Sequence, residues 1–214
     1  MNSIAELVVG GSPEPWETFG FSLLSVSADE SRFSLGDVVL VVRQAFPPGM
    51  LSWTLSSDAV TVDDHTTIDG VDTRIVSHTV ASEIGPEGVG AIGCLGVDHV
   101  VIRTNSLDFT CDAITNATGA PVKRIRDAGS GVQQAFHKIG TVVVEVVESP
   151  HRVEATHLWG FVINVADING LSKFMGPDVL GAPKPATQPG RHIASARSGA
   201  ELGVPFAVMD KPKK

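Results

Sequence analysis

Apolar residues fall in short β-branched runs, each just after a glycine. Val38-Val39-Leu40-Val41-Val42 follows Gly36-Asp37, and His99-Val100-Val101-Ile102 follows Gly96-Val97-Asp98. Val142-Val143-Val144-Glu145-Val146-Val147 follows Gly140, Phe161-Val162-Ile163-Asn164-Val165 follows Gly160, and Val204-Pro205-Phe206-Ala207-Val208-Met209 follows Gly203. Branched side chains suit a pleated, half-buried surface, so each run predicts a strand. Helical spacing appears between some of them. Leu107, Cys111 and Ile114 share a helical face behind Asn105 or Ser106 as N-cap. Residues 168–175 read the same way behind Asp167, and residues 14–19 predict a shorter helix with Pro15 in its first turn.

The pattern repeats. Segment 97–148 reads strand (98–104), helix (106–115), strand (121–127), strand (132–138), strand (141–147). Segment 158–210 reads strand (159–165), helix (167–175), strand (178–184), strand (191–197), strand (204–209). Neither unit alone buries both its helix and its sheet, so the two should pack as one domain. The N-terminal part reads as a shortened copy, with strands at 5–10, 22–26, 32–35 and 38–42 and two more at 50–55 and 73–78. The stretch 58–72 holds five aspartates and Gly70 and predicts a loop. The expected organisation is a degenerate βαβββ-like domain over 1–81, a Gly-rich linker over 82–96 and a paired-module domain over 97–210. The fold class is α+β, with a curled mixed sheet forming a cleft.

Composition narrows the function. The chain has 214 residues, 43% of them hydrophobic and 19% charged, which is too apolar for a disordered chain. The net charge of −8 does not favour nucleic-acid backbones. No apolar run reaches the roughly 20 residues of a membrane helix, and Met1-Asn2-Ser3-Ile4-Ala5-Glu6 lacks a basic segment leading into an apolar one. A cytoplasmic protein with no membrane or nucleic-acid partner is the expectation. Cys94 and Cys111 read as two buried thiols. Walker, dinucleotide, CxxC and HExxH motifs are absent from the sequence.

Residues 96–104 (GVDHVVIRT), then Leu107-Asp108, then residues 140–148 (GTVVVEVVE), with a matching second module, resemble the vicinal oxygen chelate superfamily. That superfamily includes glyoxalase I, bleomycin-resistance proteins, methylmalonyl-CoA epimerase and extradiol dioxygenases. The resemblance implies paired βαβββ modules and a small-molecule ligand, and it allows a homodimer. It also implies a divalent ion (Zn, Fe, Mn or Ni) held by a first-strand His, Gln or Glu and a fourth-strand Glu. Carried over, His99 and Glu145 take those positions, as metal ligands or as the groups that move a proton. The second module departs from the pattern, because alignment puts Gly160 opposite His99 and Val208 opposite Glu145. In the N-terminal copy Glu6 falls at the His position and Val41 at the Glu position. His137, His157, His192 or Glu6 would have to complete a metal site.

Other polar and aromatic residues are cleft candidates. Either Gln134 and Phe136 or Gln133 and His137 face inward. Arg191 could anchor an anion or be surface charge, and Trp159 could line the cleft or pack in the sheet. Glu148 reads as a solvated strand end. Two functions follow from the resemblance. One is a metal-dependent glyoxalase-like lyase or isomerase, or a dioxygenase, acting on an oxygen-chelating substrate. The other is a metal-free binding or sequestering protein of the bleomycin-resistance kind.

Overall fold

The computed structural model describes residues 2–59, 61, 63–77 and 92–211. Two mixed sheets form the fold. The first has seven strands: β1 (Ser3–Gly10), β2 (Leu23–Val26), β3 (Glu30–Ser34), β4 (Val39–Arg43), β5 (Gly49–Ser57), β6 (Asp64–Ile68) and β7 (Val71–Ser77), in the order β2-β3-β4-β1-β5-β7-β6. The second has eight: β8 (Cys94–Thr104), β9 (Arg124–Gly129), β10 (Val132–Ile139), β11 (Val142–Glu148), β12 (His157–Val165), β13 (Lys184–Pro185), β14 (His192–Ser195) and β15 (Phe206–Asp210), in the order β13-β14-β15-β12-β8-β11-β10-β9. Three α-helices, α1 (Glu14–Phe19), α2 (Leu107–Thr118) and α3 (Ile168–Met175), and a short 3-10 helix (Ser198–Ala200) complete the described residues.

The second sheet is two βαβββ modules. In each, the first strand runs parallel to the fourth, β8 with β11 and β12 with β15, and the two first strands meet antiparallel at the centre. The first sheet opens with a complete module of the same kind, in which β1 lies parallel to β4. β5, β6 and β7 follow it, with β5 antiparallel to β1 and parallel to β7.

One core joins the halves. The helix-bearing faces of both sheets turn inward, where Leu7, Val9, Leu40 and Trp53 pack in the same cluster as Val100, Ile102, Val144, Ile163 and Val208. Aromatic rings cross the boundary: Trp16 stacks on Phe161 at 6.0 Å, and Phe19 meets Phe206 edge-on at 5.5 Å. The opposite faces turn outward and carry smaller apolar groups, Val8, Val39 and Val41 on one sheet and Val162, Ala207 and Met209 on the other.

Several expectations need correction. The stretch 58–72 is not all loop, because β6 occupies Asp64–Ile68 and hydrogen-bonds to β7 through a tight turn with Asp69 at φ 47° and Gly70 at φ 81°. Residues 94–96, expected in the linker, begin β8. The rest of that expected linker, from 82 to 91, lies outside the described residues, as does His78. The strand expected at 178–184 shrinks to Lys184–Pro185 plus a bridge from Leu180 to Ala196. Glu148 is not merely solvated: its Oε2 accepts from the Leu107 amide at 2.6 Å and so caps α2. That places a carboxylate where a helix presents unsatisfied N–H groups.

Candidate functional site

The outward face of the second sheet holds a cavity of about 510 Å³. Its walls are mostly apolar: Val101, Val132, Val147, Trp159, Val162 and Ala207. Its polar residues include His99, Gln134, Glu145 and Arg103.

Two bulges shape the floor. Along β8 and β12, Val162 pairs with His99 but Ile163 pairs with Val97, which leaves Asp98 as an extra residue. An extra residue breaks the alternation of the pleat, so neighbouring side chains can emerge on one side. Val97 and Val100 both enter the core, and Asp98 and His99 turn together. The second bulge acts on β12: Leu158 pairs with Ile102 and Gly160 with Val101, so Trp159 is extra. It reaches the cavity rim and stays 42% exposed. A Cβ on Gly160 would lie 2.2 Å from the Pro205 carbonyl oxygen. Close approach of two backbones therefore sets that glycine.

A chain of polar contacts crosses the floor. Arg191 Nη1 lies 2.8 Å from Asp98 Oδ1, and Asp98 Oδ2 lies 2.8 Å from His99 Nδ1. His99 Nε2 lies 3.7 Å from Glu145 Oε2. Gln134 donates to Glu145 Oε1, and Arg126 Nε donates to Gln134 Oε1 at 2.9 Å. Burial pushes the Glu145 carboxyl above its usual range, and the charges of His99 and Arg126 offset this only in part. Asp98 is desolvated too, but hydrogen bonds from His99 and Arg191 and their charges outweigh burial and hold its carboxyl low.

The structure brings His99, Glu145, Gln134 and Trp159 together around one cavity. Phe136 pairs across the strands with Glu145 and shares its face, with the Arg126 guanidinium 5.9 Å above its ring. Two expected residues lie elsewhere. His137 pairs with Val144 on the core side, 1% exposed, with Nδ1 2.9 Å from the Ala120 carbonyl, so it does not line the cleft. Arg191 is buried outside the cavity lining, and four of its five N–H groups go to Asp98, Asn164, Gln188 and the Asp210 carbonyl, so it does not stand in the cleft as an anion anchor. Val208 likewise enters the core, while Ala207 and Phe206 are the β15 residues that line the cavity.

Sequence reasoning missed Asp98. Its signal was present: Asp98-His99 puts two polar residues between the core positions Val97 and Val100, where strict alternation allows one.

The expected divalent ion does not fit these residues. His99 Nε2 and Glu145 Oε2 are two donors, and the facing strands bring Val162 and Ala207. His157 bonds the Ala155 carbonyl and His192 bonds Asp210, both away from the cavity. Among the described residues no three His, Cys, Asp or Glu side chains group as a metal would need.

No family model matches the chain. Nor does any curated protein. Solved structures do. A triple variant of 4-hydroxymandelate synthase from Streptomyces coelicolor is similar over 98% of this chain and 92% of that one, with TM-score 0.67 and 13% identity. Methylmalonyl-CoA epimerase from Mycobacterium tuberculosis is similar over 56% of this chain and 89% of its own, with TM-score 0.45 and 12% identity. The chain has the vicinal oxygen chelate fold, with two curled mixed sheets. Among the described residues no helix is long and apolar enough to cross a membrane.

Proposed function

We propose that this protein binds a small, largely apolar molecule in the cleft of its second sheet, and does so without a metal. The observation that carries this reading is the donor count. The fold offers positions on two facing modules, and by strand register this chain fills the second with Gly160 and Ala207. What is left is an apolar cavity with a short polar floor, the usual make-up of a small-molecule site. Burial of apolar ligand surface supplies the affinity, and His99 and Glu145 set its orientation.

The test is a thermal-shift screen of small aromatic and aliphatic compounds against metal-stripped protein in EDTA. Ligands that bind the native state raise the midpoint. Stabilisation that survives EDTA supports the reading. Stabilisation that EDTA abolishes overturns it.

A metal-dependent lyase, isomerase or dioxygenase has one observation in its favour. Asp98 sits behind the His99 imidazole as a carboxylate does behind many metal-binding histidines. Stoichiometric Zn, Fe, Mn or Ni after reconstitution, lost in a His99→Ala, Glu145→Ala double variant, would favour that second reading.

A further inference from the structure

The cleft floor is built to be an acceptor. Asp98 uses both oxygens, one on Arg191 and one on His99 Nδ1, each at 2.8 Å. Arg191 is 7% exposed and held by three further acceptors, so it cannot swing away. An ionised carboxylate can only accept, so the proton of the neutral imidazole sits on Nδ1. Nε2 is then left with a lone pair.

Its neighbour is also an acceptor. Glu145 Oε1 takes the Gln134 amide, and Oε2 lies 3.7 Å from His99 Nε2. That separation is beyond hydrogen-bond reach, so the two do not satisfy each other. Val101, Val162 and Ala207 around them bring no donor. A ligand donor at this point would complete both groups. A ligand without one would leave buried acceptors unpaired, the costly case.

We propose that Asp98 and Arg191 are positioning residues that lock His99 in its Nδ1–H tautomer, so that the cleft selects molecules carrying a hydrogen-bond donor, such as a phenolic hydroxyl or an amine, on an apolar body. This rests on the metal-free reading of the cleft.

Two measurements test it. The first needs no ligand: long-range ¹H–¹⁵N correlation on labelled protein, with His99 assigned by its loss in His99→Gln. The proton is expected on Nδ1, and finding it on Nε2 in the neutral ring overturns the proposal. The second titrates 2-naphthol and 2-methoxynaphthalene into metal-stripped protein in EDTA by calorimetry. The naphthol is expected to bind about tenfold tighter, as one well-placed hydrogen bond allows. In Asp98→Asn the amide can donate to Nδ1, the tautomer reverses, and the preference should shrink at least threefold or invert; a merely structural Asp98 would weaken both probes alike. Asp98→Ala provides a second variant should Asp98→Asn misfold: it removes the acceptor that holds the Nδ1 proton, and the same shrinkage is expected. Equal affinities in the wild type, or an unchanged preference in both variants, overturn the proposal. Binding that appears only when metal is restored removes the metal-free reading instead, while the tautomer result still stands.

Discussion

The two sheets are built on one plan and differ in what they put on it. β1 and β8 carry the same bulge: Ile4 pairs with Leu55 and Glu6 with Thr54, leaving Ala5 extra where the second sheet leaves Asp98. β5 and β12 also match, with Leu51 extra where the second sheet has Trp159. By register, Glu6 stands at the His99 position, Val41 at the Glu145 position, Arg32 at the Phe136 position and Arg74 at the Ala207 position.

The consequences are opposite. In the first sheet Arg32, Thr54 (2.6 Å) and Arg74 (3.9 Å) converge on the buried Glu6 carboxylate. That hollow is about 120 Å³ and lined by charged side chains that pair with each other. In the second sheet the same two positions are an aromatic ring and a methyl group, and about 510 Å³ stays available beside His99. A shared skeleton thus makes one cleft whose charged groups pair with each other and one that leaves about 510 Å³ open beside His99.

The largest effect should come from importing the first arrangement into the second. Ala207→Arg places a guanidinium within the cavity near Glu145. It should abolish measurable naphthol binding while far-UV circular dichroism stays native. Next is the reverse injury. Arg32→Ala leaves Glu6 buried with its closest partner gone, and should cost about 3 kcal/mol in urea unfolding. Ala207→Ser, which keeps the second cleft small-walled, should change stability by under about 1 kcal/mol by the same assay. Gly160→Ala forces a methyl group against the Pro205 carbonyl and should cost about 2 kcal/mol.

The smallest effects are in pH dependence. Glu145 has its folded pKa raised from 4.5, so the native state holds its proton more tightly than the unfolded chain. Its contribution therefore weakens stability as pH rises above that value, and Glu145→Gln should be relatively more stable at pH 7 than at pH 4. Asp98 has its folded pKa lowered from 3.8, so its contribution is present above that value and is lost as pH falls through and below it. Asp98→Asn should narrow its deficit relative to the wild type at low pH. Unfolding curves from pH 3 to 7 read both signs.

Much of this plan was legible in the chain. The valine runs and the glycines before them marked the strands of both modules, because burial on a sheet selects branched residues at those places. His99 and Glu145 stood out as polar interruptions of such runs. Bulges were harder to read, since a single extra residue shifts every later side chain to the other face. Turn length misleads in the same way: aligning Gly140 with Gly203 puts Val208 opposite Glu145, whereas the unbroken pairing of β12 with β15 gives that place to Ala207 and sends Val208 into the core. The facing of β10 also depended on its partner: pairing with β11 turns Gln134 and Phe136 outward and His137 inward, and nothing within the strand itself decides this. β6, with Asp64, His65 and two threonines, has one buried side chain and so left almost no hydrophobic trace.

A cleft that binds without a metal has an affinity independent of any ion. Calorimetry of 2-naphthol against one protein preparation, metal-stripped in EDTA and then reconstituted in turn with Zn, Fe, Mn and Ni, tests it most directly. The expected result is a dissociation constant unchanged within about twofold throughout, and no stoichiometric ion retained after desalting. Binding that vanishes in EDTA and returns with one equivalent of any of these ions would contradict it.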